Sequence, residues 1–319
     1  MRRLFLSASL LLAISSNSWA QAPTRDVRLL VPFSAGGTAD IVGRLLANAL
    51  SPIVGQRVVV ENRTGASGFI AAEATARAAP DGNTLLVSSL NMLAVAPEMP
   101  GMNLTIDPDR DLTPIANVVR VPFILVANPR APFNSTQELI AYARANPGRL
   151  VYASSGAAGG PHLAAELFKA QTGVDLLHVP YRGGAPAVND IVAGNAHMIF
   201  GLLPELLGQL QAGTLKPIAM LSRNSNPLAP NVPQIQSVLP DYDNDYWYSI
   251  SGPAGMSPDL VSYWNRAINA ALQSPDMQAQ LQRQALEPIG GSIDEFRATI
   301  AADRMKWGSV VRAAGIRAD

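Results

Sequence analysis

Short apolar runs separated by helix-length stretches recur along most of this chain, and that rhythm limits the fold more tightly than any other feature. The runs are VRLLV (27–31), RVVVE (57–61), TLLVSS (84–89), FILVAN (123–128), RLVYAS (149–154), LLHVPY (176–181), HMIF (197–200) and PIAMLS (217–222). A strand wetted on one face alternates apolar and polar residues, whereas most of these are apolar nearly throughout. Strands buried on both faces and alternating with helices predict an α/β architecture, with mostly parallel sheets flanked by helices. About 300 residues is more than a single core usually serves, so two lobes are expected.

A weak internal repeat points the same way. In the first half a strand reaches Gly36-Gly37, a helix follows, then a strand ending in ENRTGASG, another helix and DGNTLLVSS. In the second half a strand reaches Gly159-Gly160, a helix follows, then LLHVPYRGGAPA, another helix and AGNAHMIFG. Duplication and the general likeness of βαβαβ units both account for this, and both give two similar lobes. Downstream, SPDLVSYWNRAINAAL (257–272) and SIDEFRATIAADRMKWGSVVRAAG (292–315) return to helix. In the latter, Ser292 and Glu295 form a capping-box pattern, while Phe296, Ile300, Trp307 and Val311 line one apolar face. A tail of this length, after DYWYSISGPAG, is expected to cross back onto the first lobe. The expected division is residues 21–122 plus 246–319 in lobe 1 and 123–245 in lobe 2, with hinge crossovers near 120–125 and 243–250.

The opening MRRLFLSASLLLAISSNSWAQ has Arg2 and Arg3, an apolar run from Leu4 to Ile14, and Ser18 and Ala20 flanking Trp19. This is the pattern of a secretory signal peptide, residues 1–20, cleaved after Ala20, and its run falls short of the ~20 residues a membrane span needs. The chain has no cysteine, so disulfides, an acylated N-terminal cysteine and thiolate metal sites are excluded together. Lys and Arg total 24 against 24 Asp and Glu, which leaves no nucleic-acid footprint and no polybasic membrane patch. A periplasmic monomer without membrane anchor, cofactor or metal is the expectation.

Two loops carry the candidate chemistry. In VPFSAGGTAD, Gly36 and Gly37 let backbone amides approach a ligand closely, Thr38 is placed to cap the following helix, and the free N–H groups of that helix start can hold an anion without a cationic side chain. A plain βα turn with glycines for tight packing explains this loop equally well. The second loop, YASSGAAGGPHLAAELF, again ends in paired glycines and adds the hydroxyls of Ser154 and Ser155, so one loop from each lobe gripping one carboxylate becomes a reading. His162 opens the second helix, either as a donor to an anion or as a structural residue, with Glu166 on the same face. Asp40 lies in the first turn of its helix, where the dipole favours a carboxylate, and ligand recognition is its other reading. Neither G-x-G-x-x-G nor Gly-Lys-Ser/Thr occurs, which argues against nucleotide loops. A hydrolase using Ser155, His162 and Asp40 is an alternative, weakened by the lack of a G-x-S-x-G elbow.

The blocks VPFSAGGTAD, VVVENRTGASG, APDGNTLL, DLTPIANV, SSGAAGGPHLAAELF, HVPYRGGAPAVNDIVAG, GPAGMSPDLV and WGSVVRAAG follow one another through nearly all of the mature chain. In these blocks the sequence resembles the Bug-type solute receptors, the periplasmic substrate-binding proteins of tripartite tricarboxylate transporters. The resemblance implies a two-lobed periplasmic binding fold, a Venus flytrap, closing on a small organic anion that is handed to a membrane permease. A ligand-sensing receptor for a signalling partner is the variant of that role. The resemblance also implies that Phe33, Ala35, Gly36, Gly37 and Asp40 line one wall and Ser154, Ser155, Ala158, Gly159 and His162 the other, with Tyr181 and Arg182 at the rim. Ala158 stands where the family commonly has glycine and Gly159 where it has a hydroxyl. His197 replaces a frequent aspartate, which implies an altered far end of the pocket.

Overall fold

The computed structural model describes residues 23–156, 159–313 and 315–317. The signal-peptide segment and Ala158 lie outside the described residues. The chain opens with β1 (Val27–Val31), α1 (Thr38–Val54), β2 (Val58–Asn62), α2 (Phe69–Ala76), β3 (Thr84–Ser89), α3 (Pro108–Asp111) and β4 (Leu112–Arg120). It continues with β5 (Phe123–Ala127), α4 (Thr136–Ala145), β6 (Val151–Ser154), α5 (Gly160–Thr172), β7 (Leu177–Pro180), α6 (Gly184–Ala193), β8 (Met198–Leu202), α7 (Leu203–Gln211) and β9 (Lys216–Met220). It closes with β10 (Trp247–Pro253), α8 (Pro258–Gln273), α9 (Pro275–Arg283), β11 (Glu287–Pro288) and α10 (Ile293–Ala313).

Two sheets result, ordered β11-β4-β10-β3-β1-β2 and β7-β6-β8-β5-β9. Omitting β11, the two have one plan: the strand before the first glycine loop is central among three parallel strands, and two more strands extend the sheet on one side. The sheets are mostly parallel but each is mixed by a reversed strand, because β10 runs antiparallel to β3 and β4, and β5 antiparallel to β8 and β9. The reason is directional. The parallel strands point their C-terminal ends at the space between the sheets, and a strand arriving from the other sheet enters at that end, pointing away. Phe123 at the start of β5 therefore faces Leu202 at the end of β8, and Tyr248 near the start of β10 faces Ser89 at the end of β3.

The two crossings lie side by side, with Val121 N–H donating to the Tyr246 carbonyl at 2.9 Å. The C-terminal helix packs on the first sheet through Phe296, Ile300, Trp307 and Val311, all buried, and Trp247 Nε1–H donates to Asp303 at 2.7 Å. Its capping box forms as the sequence predicts: Ser292 N–H donates to Glu295 Oε2 at 2.7 Å and Glu295 N–H to Ser292 Oγ at 3.2 Å.

Candidate functional site

Both glycine loops end in a glycine that caps the following helix. The N-cap of α1 is Gly37 (φ −80°, ψ 166°) and that of α5 is Gly159 (φ −68°, ψ 159°), neither with a side-chain cap. Gly37 N–H donates to the Ser34 carbonyl at 3.3 Å, and Gly159 N–H to the Gly156 carbonyl at 3.0 Å. The turns need left-handed backbone at Gly36 (φ 83°) and Gly156 (φ 126°), which glycine alone adopts without strain. The structural equivalent of Gly37 is thus Gly159, one residue before the match that aligning the glycine pairs suggests. Thr38 is the first helical residue rather than the cap, because the helix begins at the glycine before it.

The third helical position differs between the two. In α1 it is Asp40, which is buried and accepts from Gly36 N–H at 3.0 Å, Arg44 Nε at 2.9 Å and Asn62 Nδ2 at 2.9 Å. Burial pushes its carboxyl up, but the hydrogen bonds from Arg44, Gly36 and Asn62 outweigh this and hold it below the usual aspartate range. In α5 it is His162, whose buried ring stacks on His178 at 4.3 Å, with Tyr152 4.8 Å beyond His178. Its Nε2 lies 3.9 Å from Glu166, whose Oε1 also takes Tyr152 Oη–H at 2.8 Å and Lys169 at 2.7 Å. Asp40 and His162 thus sit in separate networks in separate lobes, and the Ser155–His162–Asp40 arrangement is not assembled. Among the described residues no group of three or more metal-ligating side chains occurs.

Ser154 is buried, with Oγ 2.7 Å from His178 Nε2 and accepting from Gly156 N–H at 3.2 Å. It fixes the loop, leaving half-buried Ser155 nearer the surface. Phe33 is buried, with its carbonyl accepting from Asn62, while Ala35 and Gly36 are exposed. Tyr181 is half-buried and donates its hydroxyl to Asp190; burial and that partner push the phenol up to about 12. Arg182 is exposed beside it. His197 lies at the opposite end of the strands: its Nδ1 accepts from Val151 N–H at 3.0 Å, at the start of β6, whereas the loops occupy the strand C-terminal ends. It therefore does not form the far end of a pocket between the loops, since three residues of strand separate it from Ser154.

The two lobes meet across the loops, and several residues found there carry no obvious signal in the sequence. A Cβ on Gly183 would lie 2.4 Å from Ser34 Oγ, one on Gly156 3.3 Å from Ser67 Oγ, and one on Gly160 2.8 Å from the Tyr246 ring. Ser67 and its neighbour Ala66 have positive φ (52° and 45°), a strained conformation of the kind that concentrates at functional sites. Glu205, in the first turn of α7, reaches Thr38 N and Oγ1, both at 3.4 Å from its Oε2. A separate groove of about 650 Å³ lies on the outer face of the first lobe, between α10 and β4, and shares no residue with these loops.

The sequence profile of the tripartite tricarboxylate transporter family receptor matches residues 42–316. The chain belongs to that family. Protein BugT of Bordetella pertussis is 35% identical to this receptor over 301 residues, 92% of this chain and 91% of that one. The structure titled R. palustris Rpa4515 with adipate is similar with a TM-score of 0.89 and 34% identity, covering 93% of the receptor and 99% of that chain. MatC of Rhodopseudomonas palustris, solved with bound malate, has a TM-score of 0.86 and 27% identity, over 91% of the receptor and 99% of MatC. The receptor thus has the two-lobed fold of the periplasmic binding proteins. Among the described residues no helix is long and apolar enough to cross a membrane.

Proposed function

We propose that this receptor captures a small organic carboxylate in the cleft between its lobes and delivers it to the permease of a tripartite tricarboxylate transporter. The observation that carries the reading is the start of α5. It has no acid in its first turn and opens beside Ser155, and the loop leading into it faces the first-lobe loop where Gly156 meets Ser67. A helix start so placed offers free N–H groups and about half a positive charge to an anion. The adipate and malate in the related structures are carboxylates, which supports the class. Gly36, Gly37, Ala35 and Phe33 form the first-lobe wall and Ser155 and Gly159 the second, with Tyr181 and Arg182 at the rim. Asp40, Ser154 and His162 hold the two loops in shape from behind. The hinge comprises the crossings near 120–125 and 243–250, and the exported chain works as a monomer after cleavage behind Ala20.

Thermal denaturation with matched mono- and dicarboxylates, from butyrate and succinate to benzoate and phthalate, tests the reading. A ligand at a hundred times its Kd adds about 2.7 kcal/mol of stability, so Tm rises visibly. In Gly159→Val the rise should vanish, because a Cβ there would stand 2.9 Å from the Gly156 carbonyl and break the turn. A wild type that no carboxylate stabilises, or a variant that keeps the full shift, refutes the proposal.

A further inference from the structure

The carboxyl group of Glu205 lies where three helix starts converge. Its Oε2 is within 3.4 Å of Thr38 N and Oγ1 at the start of α1, and the Leu202 N–H at the start of its own helix also favours its charge. At the start of α6, a Cβ on Gly184 would stand 2.0 Å from Oε2 and 2.6 Å from Oε1. The carboxyl thus fills the space that a side chain at position 184 would take. Oε1 is shut off from solvent and has no hydrogen-bond partner. The buried phenols of Tyr246, just before β10, and of Tyr248, within it, feel its charge, which disfavours ionising either. The other charged groups on the surrounding elements are engaged or turned away: Asp40 pairs with Arg44, Asp190 with Tyr181 and Asn195, and Arg182 is exposed. Among the described residues no cation pairs with Glu205.

We propose that Glu205 sets which carboxylates the receptor accepts, by itself supplying the negative charge at the first-lobe helix start. The inference rests on the carboxylate reading above and narrows it: the preferred ligand brings one carboxylate, to the α5 end, and no second one to the α1 end. A second carboxylate there would sit against Glu205, and two carboxylates sharing a poorly solvated site do not both stay ionised. A dicarboxylate therefore binds only with a proton on Glu205, which then donates to it. Burial already pushes this carboxyl up to about 7, against the opposing N–H groups of Thr38 and Leu202, so the proton is within reach near neutrality.

Titration calorimetry with butyrate against succinate, hexanoate against adipate, and benzoate against phthalate, at pH 8 and pH 6, tests this on the wild type and on Glu205→Gln. At pH 8 the wild type should favour the monocarboxylate of any pair it binds by at least about tenfold. At pH 6 that preference should shrink by about tenfold, since a group titrating near 7 is then mostly protonated while the ligand carboxylates remain ionised. Glu205→Gln, of the same shape but neutral, should abolish both the preference and its pH dependence. A wild type that favours dicarboxylates at pH 8, with a ratio that Glu205→Gln changes less than twofold, overturns the role of Glu205 alone. No heat from any pair with either protein overturns the carboxylate reading itself, and this inference with it. The pH series on the wild type keeps the proposal testable if the variant is unstable.

Discussion

The starts of α1 and α5 are two solutions to one problem, both capped by a glycine and differing in charge at the third helical position. Each follows a central parallel strand, and each caps its helix with a glycine in extended backbone. At the third helical position one has Asp40 and the other His162. The aspartate returns to its own loop and satisfies Gly36 N–H, and Glu205 arrives from the other lobe at Thr38 N–H. Two carboxyl groups of the protein thus serve the first helix start. The second has an imidazole and hydroxyls, whose contacts run sideways into the stack of Tyr152, His178 and His162. Like caps therefore differ in electrostatic purpose, and a bound anion is favoured at the start that no acid already serves.

The largest expected effect comes from making the second start resemble the first. His162→Asp places an acid at the third position of α5, and carboxylate affinity should fall by about a hundredfold, roughly 2.7 kcal/mol. His162→Asn, which changes the stack without adding charge, should lose much less. Calorimetry on both decides it, and equal losses would show that the stack rather than the charge matters.

Asp40→Asn probes the other side. The variant keeps the shape but replaces an acceptor for three donors, and should cost about 2 kcal/mol at pH 7 by urea denaturation. Because the folded-state carboxyl titrates below its ordinary value, its contribution is complete above about pH 4 and is lost as pH falls through the folded value. The gap between wild type and variant should therefore close in acid, and a gap that persists at pH 2 would mean that charge has no part in it.

The smallest effect belongs to Arg44→Ala. Its guanidinium is more than half exposed although its partner is buried, so solvent screens most of the pair. A loss below about 1 kcal/mol, shrinking further in salt, is expected from the same denaturation series. A larger loss would mark Arg44, not the backbone amide, as what holds Asp40.

The residues of the sequence determined local structure wherever one face or one turn sufficed. Eight apolar runs became β1, β2, β3, β5, β6, β7, β8 and β9; strands such as β3, β5 and β8 are buried on both faces, which leaves an unbroken apolar signal, while β2 and β7 lie at the sheet edges and are only partly covered. The two glycine turns and the Ser292–Glu295 capping box were legible for the same reason, since each depends on neighbours within a few residues. β4 and β10 were not legible as strands. β10 buries Ser249 and Ser251, whose hydroxyls pair with Ser88 of β3, 2.8 Å from each. The tertiary structure alone decided that strands crossing between lobes enter antiparallel, that His197 lies at the far end of the strands, and that Glu205 meets Thr38 across 167 residues of chain. The physical reason is that a helix start advertises its free amides locally, whereas the group that satisfies them is chosen by whichever side chain the closed fold brings within reach.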